Sequence, residues 1–204
     1  MADEPIEVAE DEERQPPPLD PEVRARRDAA LRMVRRYGDP ILRSRALEID
    51  RFDERLVEEA QQMGQLMHDA IGIGLAATQV GFMHRALVYR VEPDAAIAVL
   101  VNPVIEWRSQ EEEIAEEGCL SLPGVHVEVE RPVHVRVQGR DERGEALTIE
   151  ASGLEARVVQ HEIDHLDGVL ILDRTPRGQR KEAMKILRER LAAREDEQPG
   201  RRAA

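Results

Sequence analysis

The segment Gln160-His161-Glu162-Ile163-Asp164-His165 sets two imidazoles four residues apart with a carboxylate beside the first. On an α-helix, positions i and i+4 share a face about one turn apart, so His161 and His165 can close on one metal ion while Glu162 stands next to it. That is a layout for metal-assisted hydrolysis. The ion lowers the pKa of a water from about 15.7 towards about 7, and the carboxylate takes its proton. A catalytic site of the zinc type has three protein ligands and one open position, so two histidines leave a ligand to be found.

Three candidates can be weighed. A metzincin-type histidine would follow at a fixed offset after a glycine; Gly168 fits, but Ile171 fills the histidine's place. A glutamate on a later helix would complete a thermolysin-like site, and Glu182 is the acid in that stretch, among Arg180, Lys181 and Lys185. The third is Cys119, the single cysteine, in Glu117-Gly118-Cys119-Leu120-Ser121. A lone cysteine is ordinarily a small buried hydrophobe. Here a Glu-Gly pair breaks the strand before it, which lets the backbone present a side chain and a free N–H together.

The surrounding elements must position these groups. Ser152 stands three residues before Glu155, the spacing of a capping box, and Gly168 follows Leu166 and Asp167 as a stop. The His/Glu segment therefore falls on a helix of about 14 residues. Leu56, Ala60, Met63, Met67 and Ile71 step along one face of an earlier helix, with Asp53 as its N-cap and an end near Gly72. Ala86 to Val91 and Ala96 to Val101 read as strands. Val133 to Val137 and Ala146 to Ile149 read as a hairpin across Asp141-Glu142-Arg143-Gly144. Thr175-Pro176 opens a last helix to about Arg194, with Met184, Leu187 and Leu191 as its apolar stripe. Residues 21 to 37 admit two readings, a helix started by Asp20-Pro21 or an edge strand over Leu31 to Tyr37.

With 204 residues and a net charge of −13, the chain suits one catalytic domain with tails. Residues 1–22 hold nine acids against Arg14, a local balance of −8, and cannot bury enough apolar surface to offset their ordering entropy. A disordered acidic arm is expected over 1–22, a catalytic domain over 23–173, a basic helix over 174–194 and a disordered tail over 195–204. No early apolar stretch suggests a secretory signal, the arm is too acidic for a transit peptide, and no run reaches about 18 apolar residues. A cytoplasmic protein without a membrane span is expected, and one cysteine allows no intrachain disulfide. From Arg174 to Arg194 eight bases face two acids, which is either a solvated helix face or a surface for ribosomal RNA.

Three segments, Gly72-Ile73-Gly74-Leu75-Ala76-Ala77-Thr78-Gln79, Glu117-Gly118-Cys119-Leu120-Ser121 and Gln160 to His165, resemble the three signature motifs of peptide deformylases, in order and at compatible spacing. The resemblance runs from Tyr37-Gly38-Asp39-Pro40-Ile41-Leu42-Arg43 to the final helix. That helix and Leu122-Pro123-Gly124 resemble the type I branch. It implies an α+β fold, with antiparallel β-sheets around a central metal-binding helix and a C-terminal helix. It also implies Cys119, His161 and His165 as ligands of one divalent ion, Fe2+ by the family's habit, while a thiolate ligand also admits Zn2+, Ni2+ or Co2+.

The reaction so implied is hydrolysis of the N-formyl group from the formyl-methionine of new polypeptides, releasing formate. Glu162 would serve as base and then acid, with the side-chain amide of Gln79 and the backbone N–H of Leu120 as oxyanion donors. Gly72, Ile73 and Gly74 would offer the edge along which the substrate adds as a strand. Leu154 and Val158 would form an apolar methionine pocket, with the stem of Arg157 packed beside it and its head in solvent. Glu117 would be held by Arg131. The expected setting is a monomer acting on nascent chains and docking on the ribosome through its basic helix. A metallopeptidase and an inactive ribosome-associated binding protein are the alternatives. Loss of Glu162, Cys119 or Gln79 would mark the second, and all three are present.

Overall fold

The computed structural model describes residues 19–197, the last helix beyond Arg190 by its backbone alone. Most of the expected arm (1–22) and most of the expected tail (195–204) lie outside the described residues. Helix α1 (Pro21–Met33) starts where Asp20 accepts the Glu22 N–H at 2.8 Å, inside the stretch expected as arm. The helical reading of residues 21 to 37 therefore holds as far as Met33. Beyond it residues 34–37, which run from a bend into the turn at Tyr37, join no strand.

Helix α2 (Glu54–Asp69) is capped by Asp53 and buries Leu56, Ala60, Met63 and Met67, the face its spacing predicts. Strands β1 (Gly74–Ala76), β2 (Ala86–Tyr89), β3 (Ala98–Arg108), β6 (His134–Arg140) and β7 (Ala146–Ser152) form an antiparallel sheet ordered β1-β2-β3-β6-β7. Strands β4 (Glu112–Gly118) and β5 (His126–Pro132) form a separate antiparallel pair. The remaining helices are α3 (Gly153–Leu166), the single turn α4 (Ile171–Arg174) and α5 (Arg177–Glu197). Helix α5 runs three residues past its expected end, into the stretch expected as tail.

The period of two along β2 explains its continuous apolar run. Ala86 and Val88 pack with α2, while Leu87 and Tyr89 face the opposite core with Val135, Val137 and Val159. The sheet is thus covered by α2 on one face and α3 on the other. A further core joins Val127 and Val129 of β5 to Leu170, Ile171, Leu172 and Leu187. Ile171, the residue at the metzincin histidine position, belongs to this core and is 3% exposed.

One expected cap is not made. Ser152 holds the N-cap position of α3 but makes no side-chain cap; its hydroxyl lies 2.9 Å from His134 Nδ1. Glu155 instead accepts from the Tyr89 hydroxyl at 2.8 Å. Both side chains are taken by cross-sheet partners, and α3 is held by burial. Among the described residues, no helix is long and apolar enough to cross a membrane.

Candidate active site

Cys119 follows β4 at the start of a turn in which the Leu122 N–H donates to the Cys119 carbonyl at 3.0 Å. The turn carries the thiol over the buried face of α3. Its Sγ lies 3.2 Å from His165 Nε2, and the ligand atoms of Cys119, His161 and His165 all lie within 4.8 Å of one another. These three come together as expected. Glu182, by contrast, is an exposed side chain on α5 paired with Lys185 at 3.7 Å, so it takes no part.

A thiol and two imidazoles suit a borderline or soft divalent ion. His161 Nδ1 faces Glu117 Oε2 at 3.0 Å, which fixes its ring and leaves Nε2 for the cleft. Burial pushes the Cys119 thiol up, but the neighbouring imidazoles of His165 and His161 outweigh it and hold the thiol well below its ordinary value. The thiolate so favoured is the form that ligates metal.

Glu117 is the anionic hub behind the site. Arg131 donates to it from Nε at 2.6 Å and from its terminal nitrogen at 2.9 Å, and Arg157 donates at 2.8 Å. Burial raises the Glu117 carboxyl, yet Arg131 and His161 overcome this and hold it far below the usual carboxylate range. Arg157 corrects the expectation of a head in solvent. Its guanidinium turns inward and also donates to the carbonyls of Val129 and Glu113 at 2.9 and 2.8 Å. The reason is an acidic partner and two carbonyls supplied by β4 and β5, far away in sequence. Arg131 further donates to Asp164 at 2.8 Å, and Arg174 donates to the same carboxylate at 2.9 Å.

Glu162 is 4% exposed, and its Oε2 is buried with no hydrogen-bond partner among the described residues. Burial raises its carboxyl, against the pull of His161 and His165. An unpaired, desolvated carboxylate beside the ligand set is suited to taking up a proton. Gln79 lies in a 3-10 turn, Ala77–Val80, its Oε1 accepting the Ala76 N–H at 2.8 Å. That bond orients its amide nitrogen towards Cys119 Sγ at 3.7 Å and Ser121 Oγ at 3.2 Å. Residues 34–37 join the two motif segments: the Arg35 N–H donates to the Gln79 carbonyl at 2.7 Å and the Tyr37 N–H to the Ser121 carbonyl at 2.9 Å.

These groups open onto a cleft of about 430 Å³ lined by Gly72, Ile73, Gly74, Leu120, Leu154 and Val158 among others. All the residues expected to touch substrate therefore share one cavity. Strand β1 lies at the edge of its sheet, beside the cleft. Helix α2 reaches it through a Schellman turn, with the Gly72 N–H on the Met67 carbonyl at 2.9 Å and the Ile71 N–H on the His68 carbonyl at 3.0 Å. The left-handed position is held by Ile71, at φ 59°, rather than by Gly72. A Cβ on Gly72 would meet the side-chain end of Leu120, Cδ1 at 3.0 Å, and the Met67 carbonyl at 3.4 Å.

Reasoning from sequence missed Arg157, Asp164 and Ser121 as members of this network, and it missed Arg27, which reaches the cleft from α1. The carboxylate that opens the second motif, Glu117, meets Arg131 as expected and Arg157 besides. Nothing local marked Arg157 as the second cation.

A family model described as polypeptide deformylase matches residues 31–181. The chain is 48% identical over 140 residues to a peptide deformylase of Thermosynechococcus vestitus, covering 67% of this chain and 74% of that protein. It is 44% identical over 160 residues to one of Acidothermus cellulolyticus, covering 78% and 87%. Among solved structures, a peptide deformylase from Synechococcus elongatus in complex with actinonin matches with a TM-score of 0.72 at 43% identity, covering 74% of this chain and 85% of that one. The peptide deformylase of Thermotoga maritima matches with a TM-score of 0.68 at 44% identity, covering 70% and 96%.

Proposed function

The chain belongs to the peptide deformylase family, metal-dependent hydrolases that remove the formyl group from formyl-methionine at the start of new polypeptides, and we propose that Cys119, His161 and His165 hold its metal. The observation that carries this reading is the gathering of one thiol and two imidazoles within 4.8 Å beside the unpaired carboxylate of Glu162. When bound, a divalent ion there supplies Lewis acidity to a water and to the formyl oxygen. Fe2+ is the ion the family resemblance implies, with Zn2+, Ni2+ and Co2+ compatible with the same donors.

The residues of the chain do the rest. Glu162 takes a proton from the attacking water as its oxygen bonds to the formyl carbon. The carbon–nitrogen bond then breaks, and Glu162 returns the proton to the leaving amine, giving formate and a free N-terminus. Negative charge gathering on the formyl oxygen is met by the Gln79 amide and the Leu120 N–H, each such donor contributing on the order of 10²–10³ in rate. The substrate backbone adds as a strand along Ile73 and Gly74, and its methionine side chain lies against Leu154 and Val158. Arg131, Arg157 and Glu117 keep the His161 ring in orientation.

The basic helix fits docking of this monomeric, cytoplasmic enzyme on the ribosome. Arg174 and Arg180 pair with Asp164 and Asp173, whereas Arg177, Lys181 and Arg188 have no ion pair among the described residues. Three free cations on one helix suit a phosphate backbone, and salt-sensitive co-sedimentation with ribosomes tests the assignment. The central experiment is formate release from a formyl-Met peptide by anaerobically purified, metal-analysed protein. Turnover proportional to bound metal is expected; turnover that persists after metal removal overturns the reading.

A further inference from the structure

We propose that Arg27 selects substrates that carry a carboxylate just beyond the formyl-methionine. Helix α1 supplies this residue, and Arg27 precedes residues 31–181, the part that matches the family model. It lines the same cleft as Cys119, His161 and Glu162. The side chain is half-buried and has no ion pair or hydrogen bond among the described residues. Of the cations near it, Arg26 lies 3.6 Å from Asp69 and Arg90 donates to His68 Nδ1 at 2.9 Å. Of the three acids lining the cleft two are committed or deep, and the third, Glu116, is turned largely to solvent. Glu117 is held by Arg131 and Arg157, Glu116 lies 3.3 Å from His126, and Glu162 is buried beside the histidines.

A guanidinium with open donors on a cleft wall is a site for an anion, and the cleft is where a ligand arrives. The inference rests on the substrate lying along Ile73 and Gly74, which share the cleft lining with Arg27. A chain running along that edge brings the residues after methionine past α1. The matching group is an acidic side chain at the second or third position, or the terminal carboxylate of a short peptide.

The test compares formyl-Met peptide amides bearing Glu, Gln or Lys at either position, and formyl-Met-Ala as free acid and as amide. Wild type, Arg27→Gln, Arg27→Lys and Arg27→Glu are assayed. At low salt the wild type is expected to favour Glu over Gln on the order of 10-fold in kcat/KM, through KM, and less as salt rises. That ratio falls to about 1 in R27Q, is largely restored in R27K, and gives way to a Lys preference in R27E. The free-acid pair tells a terminal from a side-chain carboxylate. An unchanged ratio in R27Q for every peptide overturns the proposal. Equilibrium binding of the deformylated product peptides reads the same ratio without turnover, so a failure of the catalytic reading stays distinct from a failure of this one.

Discussion

The carboxylate of Glu162 fills the space that a side chain on residue 74 would need. A Cβ at Gly74 would stand 2.9 Å from Glu162 Cδ and 2.9 Å from its Cγ, closer than real Cβ atoms come. The glycine of the first motif and the acid of the third are therefore one fitted pair. Gly74→Ala is expected to displace Glu162 and lower kcat by about 100-fold or more, with metal content retained. Activity within a few-fold of wild type would mean that the carboxylate can relocate freely.

Glu162→Ala removes the proton carrier outright. Turnover of a formyl-Met peptide should fall on the order of 10²–10⁴-fold while bound metal, measured by elemental analysis, is kept. Near-normal turnover would sink the role assigned to this residue.

Cys119→Ala takes away the thiolate and leaves two imidazoles, too few to hold a catalytic ion tightly. The purified variant should come out with little metal and little activity. If it keeps a full complement, the ligand set is different.

Glu117→Gln leaves the buried Arg157 without its close counter-charge, takes from Arg131 one of its two carboxylates, and frees the His161 ring. Unpairing a buried charge costs on the order of 3–5 kcal/mol, and loosening a ligand's support weakens metal affinity by roughly 10–100-fold. Thermal unfolding and metal titration should move together. A normal melting temperature with normal affinity would show that the hub is dispensable.

Ile71 holds a left-handed conformation at φ 59° although it is β-branched, and it is half-exposed at the cleft. Such a backbone costs about 1–2 kcal/mol for a residue with a Cβ. Ile71→Gly should therefore raise the melting temperature by a few degrees. A lower melting temperature would show that the packing of this side chain outweighs its strain.

Much of this was legible from local pattern. The i, i+4 histidines, the α2 stripe and the β6–β7 alternation each carry their period within a few residues, and each became the expected element. What was hidden depends on partners far along the chain. Arg157 faces inward because Glu117, 40 residues earlier, waits there with the Val129 and Glu113 carbonyls. Ser152 fails to cap because His134 takes its hydroxyl. Gly72 looked like the helix-ending glycine, yet the left-handed turn falls on Ile71, one residue earlier. Arg27 carried no motif and gained meaning from where α1 leans.

The separation of β4 and β5 from the main sheet has a mechanical consequence. The thiol is carried by a two-stranded ribbon, while both imidazoles belong to a helix packed on five strands. Two-stranded ribbons are weakly stable by themselves. An ion gripped by all three side chains would add a clasp between ribbon and helix to the Glu117–Arg157 and Arg131–Asp164 bonds that already join them. Peeling the ribbon away would mean surrendering the ion, so the enzyme's reactive centre would also be one of its fastenings.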